Sequence, residues 1–197
     1  MKPVSGELER WLAADGDKTL GGLIQFVGRK SFALLFVLLL ATPALPLPTG
    51  GATHVFEAVA VLLALQLIAG RKEIWLPARW RAIELAGGRR RSFVDRLVRL
   101  IARLERLSRP RGRFLFDHKL SDVVFGLLVV GGSVAAFFAP PFSGLDTLPA
   151  LGVVLLSLGV LLEDVLLVAI GTGVGLVGVA LELVLGRAIV DAIGKLF

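Results

Sequence analysis

The sequence predicts an all-α integral membrane protein built on two proline-broken helical hairpins that form an internal repeat. Three observations predict it. Hydrophobic residues make up 55% of the chain and its mean hydropathy is +0.80, against an apolar share of roughly 45 to 50% in soluble domains. Two apolar stretches break at proline in matching places: SFALLFVLLLATPALPLP ahead of THVFEAVAVLLALQLIAGRKE, and FGLLVVGGSVAAFFAPP ahead of LPALGVVLLSLGVLLED. Phe32 superposes on Phe125 and Pro48 on Pro141, then Ala58 on Ala150 after one residue of slippage. Finally, residues 71–119 hold 15 Lys and Arg against five acids, whereas residues 120–197 hold two against six. A basic loop of this kind stays in the cytoplasm during insertion.

The chain reads as a single membrane domain, because in a bilayer the length sets the number of spans rather than the number of soluble cores. Residues 1–30 form a cytoplasmic or interfacial lead-in. Their four acids and five bases match a cleaved secretory signal poorly. Within them Thr19 is a natural N-cap for a helix whose Leu20, Leu23, Ile24, Phe26 and Val27 share a face, as an interfacial helix or a packing lid.

The first hairpin covers 31–70. Its arms of about 16 and 18 residues reach roughly 24 to 27 Å as helix, against about 30 Å of hydrocarbon. Pro43, Pro46 and Pro48 forbid a continuous helix through the centre, so the hairpin either crosses fully and turns at the surface or is re-entrant.

Residues 71–119 form a basic cytoplasmic amphipathic segment. Trp75 and Trp80 sit among arginines, the mix of a membrane boundary. Pro77 suits a helix start and Gly87-Gly88 a stop. Ser92 with Asp95 reads as a capping box for a helix with Phe93, Leu97, Leu100, Ile101, Leu104 and Leu107 on its apolar face. Arg96, Arg99, Arg103 and Arg106 flank that face, so the helix is expected to lie in the headgroup plane.

The second hairpin covers 120–163 and breaks at Pro140 and Pro141. Residues 165–185 are a run of 21, long enough to span, and 186–197 form an amphipathic tail. Up to five crossings follow, in a multi-pass protein of the bacterial inner membrane.

The candidate sites are few. His54 and Glu57 lie three apart on one helical face just after the first break, and Asp146 follows the second. Ionisable groups within apolar segments usually face a cavity or a partner, so these three are the candidates for an ion, a proton or a substrate. Pro46, Pro48, Pro140 and Pro141 mark the breaks. Arg71, Trp75, Trp80 and the four arginines named above are candidates for anionic lipid headgroups. Arg71-Lys72-Glu73 and Glu163-Asp164 occupy equivalent places at the hairpin ends with opposite bias, and would pair if those ends meet. Glu182 reads as a lone acid snorkelling near the end of a span. Gly171, Gly175 and Gly178 form a small-residue face suited to close helix packing or to a homodimer.

Other classes are excluded or unsupported. With no cysteine, disulfides, thiolate metal sites and cysteine nucleophiles are ruled out. The literal GxGxxG of GVGLVG lacks a preceding strand and a ribose-binding acid. No catalytic triad is evident, no metal or cofactor is expected, and the basic residues flank lipid spans rather than suggest nucleic acid. The reading is non-enzymatic, with a small transporter or channel as the rival.

The order PALPLP, LLALQLIAGRKEIWLPARW, RLERLSRPR, FGLLVV and LPALGVVLLSLGVLLED resembles the ExoD-type membrane proteins associated with exopolysaccharide synthesis. The resemblance covers roughly residues 18–185. It is most specific at GRKEIWLP, where Gly70, Arg71, Trp75 and Pro77 match the family pattern. Asp146, in PPFSGLDTLPA, stands where the family carries an amide, in a slightly longer loop. The resemblance implies an inner-membrane protein linked to exopolysaccharide production, with the exopolysaccharide machinery as a partner.

Overall fold

The computed structural model describes residues 4–14, 18–45, 53–85, 88–108, 116, 118–139 and 144–194. Among them the regular structure is helical: α1 (Val4–Ala13), α2 (Leu20–Val27), α3 (Ser31–Leu40), α4 (His54–Ile68), α5 (Ala78–Arg81), α6 (Gly88–Leu107), α7 (Lys119–Phe138), α8 (Thr147–Leu162) and α9 (Val165–Gly194). A single antiparallel bridge joins Thr19 to Glu84 and ties the start of α2 to the segment after α5.

α3 is apolar all round and almost wholly buried, as suits an interior helix. It stops at Leu40, and the turn that follows carries the buried Pro43, which has no N–H to continue the ladder. α3 packs against both α4 and α8, α7 packs against both α4 and α8, and α9 lies along α8. The His54 ring meets that of Phe137 near the end of α7 at a tilt of 55°, centroids 5.2 Å apart. Lys30, just ahead of α3, donates to the Leu161 carbonyl near the end of α8 at 2.9 Å. Both hairpins therefore start from one end of the bundle, here the basic end, and turn at the opposite, far end.

Both return arms close in the same way. Gly70 N–H donates to the Leu67 carbonyl at 2.9 Å and Arg71 N–H to the Gln66 carbonyl at 3.1 Å. Glu163 N–H donates to the Val160 carbonyl at 3.3 Å and Asp164 N–H to the Gly159 carbonyl at 2.9 Å. These are Schellman caps, which put their C′ residue in the left-handed region. Gly70, at φ 75°, meets that demand without strain, whereas Glu163 meets it at φ 57° with a side chain.

The glycine face of α9 is used inside the chain. A Cβ on Gly171 would lie 2.3 Å from the Leu156 nitrogen, one on Gly178 2.6 Å from the Pro149 nitrogen, and one on Gly152 2.4 Å from the Gly175 Cα. Backbone rests on backbone, as small residues permit. The expected homodimer thus loses the surface on which it rested.

Several sequence readings need adjusting. Thr19 does cap α2, its hydroxyl accepting from Gly22 N–H at 3.2 Å. Ser92, however, lies inside α6, which already starts at Gly88. α5 ends at Arg81, short of the expected glycine stop. The buried stripe of α6 is Val94, Leu97, Val98 and Ile101, while Leu100 is exposed. α1 packs on α6, and the Glu105 carboxylate of α6 accepts from Val4 N–H, Ser5 N–H and the Ser5 hydroxyl at the start of α1. That stripe is therefore covered by protein, since an amphipathic helix buries its apolar face on whatever partner lies within reach. α9 runs without a break from Val165 to Gly194, so the span and the tail are one helix.

α7 and the first part of α9 are each long and apolar enough to cross a membrane. α3, α4 and α8, of 10, 15 and 16 residues, fall short of the roughly 20 that a straight crossing takes. Large apolar side chains stay exposed on the outer helices, among them Leu62 on α4, Leu127 on α7, and Leu176 and Leu183 on α9.

Candidate functional site

The far end gathers the acids that the sequence scatters. Thr53 precedes α4, and His54 and Glu57 occupy its first turn, one above the other, because residues three apart share a helical face. The His54 Nδ1 to Glu57 Oε2 distance is 2.8 Å, and Thr53 also hydrogen-bonds the Glu57 carboxylate. Glu57 is 0% exposed, and its Oε1 has no hydrogen-bond partner among the described residues. The Phe137 ring lies against the His54 imidazole and fixes its orientation.

Asp146 stands immediately before α8, half-buried, within charge range of Glu57. Glu182, on α9, lies within charge range of both Asp146 and Glu57. α9 runs antiparallel to α8, with Gly178 against Pro149, so the next turn of α9 brings Glu182 to the level of Asp146. The sequence reading that made Glu182 a lone snorkelling acid is corrected here. The missed signal was register: once Gly171 and Gly178 are set against α8, Glu182 has to fall beside the second turn.

α7 adds a hydroxyl. Ser133 lies one turn before Phe137, on the face that meets His54, and α7 runs antiparallel to α4. This places Ser133 at the level of Glu57. It is 0% exposed and its Oγ has no hydrogen-bond partner among the described residues. Pro46, Pro48, Pro140 and Pro141, predicted as the breaks, lie outside the described residues.

At the basic end the predicted headgroup residues divide. Arg71, Arg96, Arg99, Arg103 and Arg106 are exposed, and Trp75 is 63% exposed. Trp80 is half-buried and packs on the hydrophobic core. The GRKEIWLP segment is fixed by Gln66 of α4, whose amide accepts from Trp75 N–H at 2.8 Å and donates to the Trp75 carbonyl at 3.2 Å.

The charges at the hairpin ends find other partners than each other. Lys30 pairs with Glu163 at 3.1 Å, and the Ser108 hydroxyl, just past α6, donates to Asp164 at 2.7 Å. Arg71, Lys72 and Glu73 are exposed. His118 also lies at this end, exposed, at the start of α7, so the two histidines do not meet. Among the described residues no three His, Asp or Glu side chains are grouped so as to hold a metal ion.

Fold and site together define an all-helical protein with two membrane-length apolar helices and a buried carboxylate between its hairpin turns. Residues 4–184 match the model of the family described as exopolysaccharide synthesis, ExoD. The chain belongs to this family. It is 33% identical over 154 residues to Protein ExoD of Rhizobium meliloti, covering 78% of this chain and 64% of that one. It is 30% identical over 158 residues to an uncharacterized protein of Synechocystis sp., covering 80% of this chain and 72% of that one. No solved structure matches.

Proposed function

We propose that this chain is a multi-pass protein of the bacterial inner membrane that supports exopolysaccharide synthesis or export without itself catalysing a covalent step. The family link to exopolysaccharide synthesis is the starting point. The observation that carries the membrane reading is the outer surface. Exposed apolar side chains cover α4, α7 and α9, and Arg71, Arg96, Arg99, Arg103 and Arg106 are exposed with Trp75 at the basic end. A large exposed apolar surface calls for lipid or a partner, and a basic, tryptophan-bearing rim suits anionic headgroups on the cytoplasmic side. Exopolysaccharide machinery would dock at that same rim.

The repeat belongs to this proposal. The first arm of each hairpin packs on the second arm of the other, as a two-fold axis along the bundle would require. The Schellman positions Gly70 and Glu163 are 93 residues apart, the offset that also carries Phe32 onto Phe125. α3, α4 and α8 are short and both turns lie at the same end, which suits two parallel hairpins that turn at the outer face beside the full-length spans α7 and α9.

The buried Glu57 favours a second reading, a small transporter or channel with its site between the hairpin turns. Complementation separates the two. In a strain lacking its own copy, a scaffold restores exopolysaccharide yield with Glu57→Gln or Asp146→Asn, and loses it when Arg96, Arg99, Arg103 and Arg106 become Gln. A transporter gives the opposite pattern and loses flux in proteoliposomes. The membrane reading is tested by single cysteines at Leu45 and Arg106, in a chain with none of its own. The first should label from outside and the second from inside; labelling of both from one side refutes the orientation.

A further inference from the structure

We propose that the far end of the bundle carries a proton-binding site centred on Glu57, with His54 as its hydrogen-bonded partner and Asp146 and Glu182 as its acidic neighbours. The proposal deepens the transport reading and rests on it for its purpose, although binding and flux are measured separately.

Charge comes first. Three carboxylates from three elements lie within range of one another, and the side chain paired with Glu57 is the His54 imidazole. Taking a carboxylate out of water is costly unless it is paired and fully hydrogen-bonded. Glu57 is 0% exposed, and its Oε1 has no hydrogen-bond partner among the described residues. The fully buried Ser133 hydroxyl, also without a partner among them, stands at the same level on α7. A carboxyl group that carries a proton turns from a pure acceptor into a donor. A proton there also removes the charge whose burial is costly.

Composition selects the occupant. No three acidic or imidazole groups among the described residues are arranged to hold a metal ion, and a buried carboxyl oxygen with no donor facing it is suited to a proton. α3 bears no ionisable side chain along its length and α7 contributes Ser133 and Phe137. The turn before α8 contributes Asp146, and α9 contributes Glu182. The site also opens outward, because the His54 side chain is 27% exposed and Asp146 and Glu182 are half-buried. Protons can therefore reach Glu57 from the side on which His54 stands.

Proton uptake by the full chain in lipid nanodiscs tests this. After a small acid pulse in weakly buffered solution, read by an indicator dye, the wild type should take up about one more proton than Glu57→Gln. Glu182→Gln should reduce the uptake at the same final pH, because it removes a like charge from the site. Glu73→Gln, a change at an exposed loop acid, should match the wild type. Circular dichroism confirms folding of each variant, and Glu182→Gln carries the test if Glu57→Gln does not fold. Uptake that is equal in wild type, Glu57→Gln and Glu182→Gln overturns the proposal. So does a sodium-dependent rise in melting temperature, lost in Glu57→Gln, without any difference in protons. Uptake without flux in proteoliposomes keeps the site and removes the transport reading.

Discussion

Gly171→Ala tests the packing of α9 on α8. A Cβ at this position would lie 2.3 Å from the Leu156 nitrogen and 2.8 Å from the Leu155 carbonyl carbon and the Leu156 Cα. All three are backbone atoms, so no side chain can swing aside. Ordinary contact begins near 3.4 Å, which means that the helices must part by at least 1.1 Å at this point. A gap of that size forfeits about a quarter to a half of the dispersion energy of each separated pair. Overpacking of this kind costs about 1–3 kcal/mol. Alanine also recovers about 1 kcal/mol of helix propensity, and Gly173→Ala isolates that gain, since a Cβ there meets nothing within 4 Å. In a chain of this length each kcal/mol moves the midpoint by about 2–4 °C, so Gly171→Ala should melt about 2–12 °C below Gly173→Ala. Thermal unfolding in detergent, followed by tryptophan fluorescence, measures the difference. Equal midpoints refute the argument. If Gly171→Ala instead dissociates a dimer and leaves the monomer's midpoint unchanged, the glycine face packs between chains rather than within one.

Three further predictions concern the basic end. Lys30→Met removes a partner of a carboxylate whose side chain is 11% exposed and should cost about 1–3 kcal/mol; a second change, Glu163→Gln, should restore part of the loss in a double-mutant cycle. Gly70→Ala meets no atoms within 4 Å but sits at φ 75°, so its cost of about 1–2 kcal/mol is purely conformational. Gly70→Asn should be milder because Asn tolerates that region, and melting curves will rank the two. Glu105→Ala should free the start of α1, at about 0.5–2 kcal/mol, seen as faster amide exchange over Val4–Ala13 while α8 and α9 exchange as before.

The local features were legible because their causes lie within a few residues. The Thr19 cap needs only a hydroxyl three residues ahead of a free N–H. The family was readable from GRKEIWLP, in which Gly70 closes α4 and Trp75 is held by Gln66, nine residues before it. Glu57 and His54 were readable as a pair because helical spacing alone sets them together.

What depended on long-range placement was not legible. Leu97 and Ile101 on α6 carry the periodicity of an interfacial helix, but periodicity says only that a face will be covered, not by what; the structure covers it with α1. Gly171, Gly175 and Gly178 announce close packing in any sequence, yet only the fold assigns them to Gly152, Leu156 and Pro149. That assignment brings Glu182 to Asp146 and Glu57. By itself the sequence determined an all-helical ExoD-family chain with broken apolar arms and one basic end. The tertiary structure alone decided which acids share an environment, because charge interacts across space while a sequence records only distance along the chain.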